Sequence, residues 1–288
     1  MTPELETLNS EAVQVLKCFE YLVAVGMGGS HALGLADKYS DYDLQVFVTE
    51  VPPLDRRKEV YSQHGVEAFH LDHPVTEGFE NPPCSARFAV DWLRLGGLKC
   101  DLLWLPRDDV DRLLSRLPGE PDQREALAVL AQTIQPVFDP RGYVVNMKEH
   151  RPEYPKDRAR RKASDRLHYG HFFLCEWAVL HKCLFRRDVI AYHQAESEMV
   201  GVLIDALYAV NSTWQLDRRR IRFHAKGFHI LPGAFLDRLE SMVSRSGKHA
   251  DLEVCHVELL SLFCDLASGA NEVHTGWHLP TDWYVNDG

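Results

Sequence analysis

Asp41 and Asp43 stand two positions apart in the segment SDYDLQVFV. There Tyr42, Leu44, Val46 and Val48 alternate with Asp41, Asp43, Gln45 and Phe47, the period of a β-strand. A strand sends both carboxylates to one face. Two like charges at such range repel unless a cation sits between them. Oxygen ligands of this kind suit Mg²⁺, which takes one or two carboxylates and completes its shell with substrate phosphate and water. Upstream, GMGGS closes an apolar run. Gly29 lets backbone N–H groups approach a phosphate, and the Ser30 hydroxyl adds a donor. Ser40, beside Asp41, supplies a further hydroxyl. A phosphate-cradling turn and a carboxylate pair, with ten residues between Ser30 and Asp41, imply phosphoryl chemistry. In such chemistry two metal ions bridge the attacking and leaving oxygens.

Such groups need short strands to hold them. YLVAVGMGGS reads as a buried strand ending in a tight turn, and HALGLADKYS as a loop or short helix. Further strands are expected at 65–71 (GVEAFHL) and at 98–106 (LKCDLLWLP), the latter after the turn signal Gly96-Gly97. Ser10 is expected to cap a first helix with the apolar stripe Ala12, Val15, Leu16 and Phe19. Pro106 and the acidic residues after it open another helix. Residues 118–125 are polar and punctuated, and the loop-like stretches 138–143 and 150–157 mark a domain boundary. From Ala159 onward the chain reads as helix. Leu167, His171, Leu174 and Ala178 form one stripe; Val200, Leu203, Ile204, Leu207 and Tyr208 a second; Leu252, Cys255, Leu259, Leu262 and Leu266 a third. The expected class is α+β: a mixed sheet with flanking helices in 1–150, then a helical bundle in 151–288.

Composition narrows the partners. The 288 residues carry a formal net charge of −10, the wrong sign for gripping a duplex by its phosphates. Positive charge is local, at 156–162 (KDRARRK) and 218–226 (RRRIRFHAK), which suits a polyphosphate pocket or a solvated face. The apolar run Tyr21–Gly28 is too short to cross a bilayer. The N-terminal residues are acidic and lack the basic region of a signal peptide, so a soluble, cytoplasmic protein without membrane partners is expected. Seven cysteines without a CxxC pair suggest neither a zinc ribbon nor a disulfide framework, and most read as buried thiols. Fifteen histidines include no HExxH.

Gly29-Ser30, ten residues and then Asp41-Tyr42-Asp43 resemble the signature of nucleotidyltransferases of the DNA polymerase β superfamily, which include adenylyltransferases acting on aminoglycosides and lincosamides. The motif spans residues 25–48. More weakly, FRRDVIAYHQAESEMVGVLIDALYAVNSTW resembles the second domain of small-molecule nucleotidyltransferases. The resemblance implies an NTP co-substrate, ATP by default, with two Mg²⁺ ions held by Asp41, Asp43 and a third carboxylate. It further implies transfer of a nucleotide monophosphate to a hydroxyl of a small molecule such as an antibiotic, with release of pyrophosphate. Residues 1–150 would be the catalytic domain and 151–288 a helical domain completing the acceptor and nucleotide cleft, in a monomer or homodimer.

Within that resemblance, Asp101 is the expected third carboxylate. It stands in an apolar strand, where an unpaired charge is costly to bury; Asp91 and Glu67 are its rivals. It would bind the second metal, deprotonate the acceptor, or both. Many relatives carry arginine after the Gly-Ser, where this chain has His31, a weaker phosphate partner. Lys226, or one of Arg218, Arg219, Arg220 and Arg222, is expected to hold the triphosphate. Macromolecular acceptors are an alternative: tRNA, or a protein hydroxyl as in toxin–antitoxin nucleotidyltransferases. So is a non-catalytic nucleotide-sensing module, against which the intact aspartate pair argues. Weaker signals are the Arg166/His171 spacing of helical ribonuclease-like domains, and Trp92, Trp104, Trp177 and Trp214 as stacking surfaces. The acidic balance suits a cationic acceptor. Surface arginine, half-buried histidine, core aromatics and surface acidity are the plainer readings of these.

Overall fold

Pro3 opens the first helix, α1 (Pro3–Leu16), well before a Ser10 cap would place it. A proline suits the first turn, where its missing N–H is not needed. Ser10 therefore lies inside the helix, and its hydroxyl donates back to the Glu6 carbonyl at 2.9 Å. Leu8, Ala12, Val15 and Leu16 form the buried stripe, with Phe19 buried just beyond the helix end. The computed structural model describes residues 3–73, 88–117, 125–175, 178–215, 220–245 and 251–281. They divide into two compact units, Met1–Glu153 and Tyr154–Gly288.

In the first unit six strands form one mixed sheet in the order β3-β4-β5-β2-β1-β6. They are β1 (Leu22–Met27), β2 (Tyr42–Val48), β3 (Glu67–His73), β4 (Ala89–Leu95), β5 (Leu98–Pro106) and β6 (Gln135–Phe138). β2 and β5 run parallel; the other pairs are antiparallel. One face carries Tyr42, Leu44, Val46, Leu93, Cys100, Leu102 and Trp104 into a core closed by α1 and by Val60 and Tyr61 of α3 (Leu54–Gln63). Strands β4 and β6 and helix α3 lie where the sequence suggested no regular element.

That core also encloses a charge. Asp91 of β4 is fully buried and paired with the buried Arg57 of α3. Its other oxygen accepts from the Tyr61 hydroxyl and Trp104 Nε1, each at 2.8 Å. Arg57 Nη2 reaches Asp72 at 2.6 Å and Nε the Pro52 carbonyl at 3.0 Å. A buried ion pair survives only when its remaining donors and acceptors are matched in this way.

On the opposite face, one end of the sheet is covered by α4 (Arg107–Arg116), α5 (Glu125–Thr133) and α6 (Tyr143–Glu149). Ile134, directly after α5, fills the space over Gly26: a Cβ there would meet its Cδ1 at 2.2 Å. Tyr143 meets Phe47 of β2 edge-on at 5.0 Å.

The second unit comprises α7 (Lys156–Leu174), α8 (Val179–Arg186), α9 (Val189–Val210), α10 (Ile221–His224), α11 (Phe235–Arg245) and α12 (Leu252–Val273). Gly201–Val210 of α9 are buried on every side, which makes α9 the central helix. Asp188 caps it by accepting from the Ala191 N–H at 3.1 Å. α7 ends at Leu174, so Ala178 does not continue its stripe but precedes α8. Gly170 takes the next place beside Leu167 and Leu174, because only a glycine leaves room for the Phe263 ring. Together these units give the expected α+β class. No helix among the described residues is long and apolar enough to cross a membrane. Cys100, Cys183 and Cys255 are buried, whereas Cys18 is exposed and Cys175 and Cys264 are half-exposed; Cys84 lies outside the described residues.

Candidate active site

The turn after β1 is built against the side chains of β2. Gly28 N–H donates to the Asp43 carbonyl at 2.9 Å. Gly29 follows at φ +58°, in the left-handed region where glycine is favoured. A Cβ on Gly29 would lie 1.8 Å from Asp43 Oδ2, and one on Gly28 2.6 Å from the Gln45 amide. Both glycines thus permit backbone to press directly onto β2 side chains. The chain then enters a single helical turn, α2 (Gly29–Ala32). The first N–H groups of a helix have no partner inside it, which leaves the Gly29 and Ser30 donors without an intrahelical acceptor.

Register brings the remaining groups together. Asp43 pairs with Asp101 across the parallel β2–β5 ladder, and Asp101 with Trp92 across β4–β5. His70 of β3 pairs with Trp92 in turn, ring centroids 5.1 Å apart. Paired residues share a face, so Asp43, Asp101, Trp92 and His70 form a row on the face opposite the core closed by α1 and α3. Asp41 sits one residue before β2. Lys99, two residues before Asp101, extends its Nζ to 2.6 Å from Asp41 Oδ2 and 3.1 Å from Asp101 Oδ1.

The electrostatics follow from this arrangement. Burial raises the pKa of Asp101; Lys99 pulls it back, and Asp41 adds to the rise. Burial works against the charge on Lys99, but Asp41 and Asp101 outweigh it and raise the pKa. Burial lowers the pKa of His31, keeping its imidazole neutral at pH 7. That ring stands edge-on to Tyr42 at 5.7 Å, and the Tyr42 hydroxyl donates to Asn9.

Whether these residues fit a divalent cation can be judged from the carboxylates. Among the described residues no three His, Cys, Asp or Glu side chains converge closely enough to cage a metal. Asp43 lies against Gly29, while Asp41 and Asp101 converge on one cationic nitrogen. A set of two carboxylates is what Mg²⁺ ordinarily takes from a protein, since it fills its shell from substrate and water rather than from an all-protein cage.

Other expected residues fall elsewhere. Asp91 is on the opposite face in its buried ion pair, and Glu67 is exposed at the sheet edge, 3.0 Å from Arg94. Neither stands beside Asp43. The Ser40 hydroxyl accepts from the Asp37 N–H at 2.9 Å and contacts the Asp37 carboxylate at 3.3 Å, so it braces the loop before Asp41. In the second unit Lys226 is exposed on a 3-10 turn (Ala225–Gly227), its Nζ 5.8 Å from the Phe223 ring. Arg222 is held by Asp237 at 2.7 Å and Glu240 at 2.6 Å. Arg220 precedes α10; Arg218, Arg219 and Trp177 lie outside the described residues. Arg166 is 3.6 Å from Asp205, and His171 is half-buried, its pKa lowered by burial and by His168. Trp104 and Trp214 are core residues.

Lys99 and Gln45 were not expected at the site. Lys99 was detectable by the same two-residue spacing that pairs Asp41 with Asp43. Gln45, 8% exposed, has a buried Oε1 without a hydrogen-bond partner, beneath Gly28 and two residues past Asp43. A groove of about 850 Å³ runs between α1 and the loop after α2, lined by Glu4, Glu11, His31, Asp37 and Leu98.

No protein-family model and no curated protein matches this sequence. Among solved structures the chain is similar to a nucleotidyltransferase-like protein from Exiguobacterium sibiricum, with 10% sequence identity, 93% of this chain and 77% of that chain covered, and a TM-score of 0.40. At that distance function has to be argued from the site.

Proposed function

We propose that this chain is a nucleotidyltransferase that moves a nucleotide monophosphate, AMP from ATP, onto a hydroxyl of a small-molecule acceptor such as an antibiotic. The observation that carries the reading is the contact between Asp43 and the Gly29 turn, in register with Asp101. It brings the backbone of the Gly29 turn against one carboxylate and sets a second carboxylate beside it on the same sheet face.

In this reading the N–H groups of Gly29 and Ser30 and the Ser30 hydroxyl take the oxygens of the triphosphate. Asp41, Asp43 and Asp101 are the residues that would hold Mg²⁺, which when bound neutralises phosphate charge and polarises the phosphorus centre. The acceptor oxygen attacks the α-phosphorus as its proton passes to Asp101. The bond to the leaving oxygen breaks, and pyrophosphate departs. Its place beside Asp43 on the same sheet face is what puts Asp101 forward for that step. Glu4, Glu11 and Asp37 in the groove beside α2 give an amine-bearing acceptor three carboxylates to meet.

The test is pyrophosphate release from ATP and Mg²⁺ across a panel of hydroxylated antibiotics. Release dependent on one acceptor is expected, with Asp43→Asn slowing it at least about 100-fold while the protein stays folded. Wild-type protein that binds ATP yet releases no pyrophosphate with any acceptor would leave a nucleotide-binding module instead.

A further inference from the structure

Helix α8 buries one side and leaves the other exposed. Leu180 and Cys183 enter the helical core, and Leu184 packs against it. Val179, Lys182, Phe185 and Arg186 recur at the helical spacing on the opposite side. All four are exposed, and so are Arg187 and Ile190, where the chain turns into α9. Phe185 is 66% and Ile190 84% exposed, values ordinary for a lysine and high for an apolar side chain. Exposed apolar side chains that cluster within a polar rim mark interaction sites.

The rim here is cationic. Among the described residues none of Lys182, Arg186 and Arg187 has an ion pair or a side-chain hydrogen bond. The acids that follow in the chain are engaged elsewhere. Asp188 accepts from the Ala191 N–H, Glu196 is buried 3.2 Å from His193, and Glu198 accepts from the Tyr169 hydroxyl. In a chain of net charge −10, this face is basic and apolar at once, and its charge complements an anionic partner. Nucleic-acid phosphates would meet the cations but offer the aliphatic side chains of Val179 and Ile190 nothing to enter. An anionic bilayer surface takes both: apolar side chains lodge at the boundary of headgroups and acyl chains, while Lys and Arg meet lipid phosphates.

We infer that the outer face of α8, with Arg187 and Ile190, is a peripheral docking surface for a membrane rich in anionic lipid. The shortness of the apolar run Tyr21–Gly28 bears on crossing a bilayer, not on resting against one. This docking is independent of the nucleotidyltransferase reading, since it uses no residue of the carboxylate row.

Full-length protein is sedimented with vesicles of phosphatidylcholine alone, or of phosphatidylcholine and phosphatidylglycerol in equal parts. The anionic vesicles are expected to take up at least about tenfold more protein, and added salt to release it. Lys182→Gln with Arg186→Gln should weaken that binding about fivefold for each cation removed. Phe185→Ser with Ile190→Ser should weaken it as well, at unchanged protein charge. All four side chains are exposed, so both double variants are expected to melt at the wild-type temperature. Equal uptake by the two kinds of vesicle, uptake by neither, or unchanged binding in either double variant would overturn the inference. Binding of single-stranded RNA without uptake by vesicles would overturn it too, and make the face a nucleic-acid site.

Discussion

Gly29 shows how much one residue decides at this site. Its backbone sits at φ +58°, and the atom nearest a hypothetical Cβ is an Asp43 carboxylate oxygen at 1.8 Å. Gly29→Ala must therefore move either the turn or the carboxylate, and it also takes on the strain of a left-handed alanine, about 1–3 kcal/mol. Gly65 has a similar φ, +65°, with nothing within 4 Å of its would-be Cβ. Gly65→Ala is thus expected to lower the melting temperature with nucleotide affinity unchanged. Gly29→Ala is expected to lower both, read by calorimetric titration with MgATP. Equal nucleotide affinity in the two variants would show that the Gly29 contact has no part in binding.

At the scale of elements, β4 divides the chemistry between two faces. Trp92 looks toward the carboxylate row, while Asp91, one residue earlier, is sealed with Arg57 under α3. The two acids rivalling each other in the sequence, Asp91 and Asp101, therefore have separate tasks: one ties α3 to the sheet, the other stands beside Asp43. Removing one partner of a buried pair strands the other charge. Arg57→Met is expected to destabilise the first unit by about 3–5 kcal/mol, read as a lower urea midpoint. Arg57→Met with Asp91→Asn should recover part of that loss. A midpoint unchanged by Arg57→Met would mean that the pair holds nothing in place.

For the molecule as a whole, each compact unit has a core of its own: one between the sheet, α1 and α3, the other around α9. Separate cores imply that unfolding is not one all-or-none event, so calorimetry is expected to resolve two transitions. Acid should act on the helical one through His256 of α12. Burial, with His181 adding to it, lowers the pKa of that imidazole from 6.5 to about 4. The unfolded chain takes up the proton near pH 6.5, the folded one only near 4. The stability in question is thus fully present above 6.5 and is lost as the pH falls through 4, amounting to about 3 kcal/mol at most. His256→Gln should flatten this part of the pH dependence of the upper or lower transition, whichever belongs to the helical unit. An unaltered pH profile would sink the assignment.

Local pattern alone was enough to read the α+β class, because strand and helix periods are written in consecutive residues: Tyr42 to Val48 alternate, and Leu252 to Leu266 repeat every three or four. The same locality exposed the glycine–serine turn and the aspartate pair. Elements whose buried positions are polar stayed hidden. β4 places Asp91 inward, and α3 buries Arg57, so each looks like a solvated stretch until its partner is in view. Ser10 looked like a cap because a hydroxyl bonded to a carbonyl one turn back leaves the same letter in the sequence. Which acid stands next to Asp43, and that Lys99 bridges Asp41 to Asp101, depended on the pairing of β2 with β5, strands more than fifty residues apart. Strand register is a property of the folded sheet: a slip of one residue would turn Asp101 to the core and Cys100 to the site, and only tertiary packing of the apolar face decides between them.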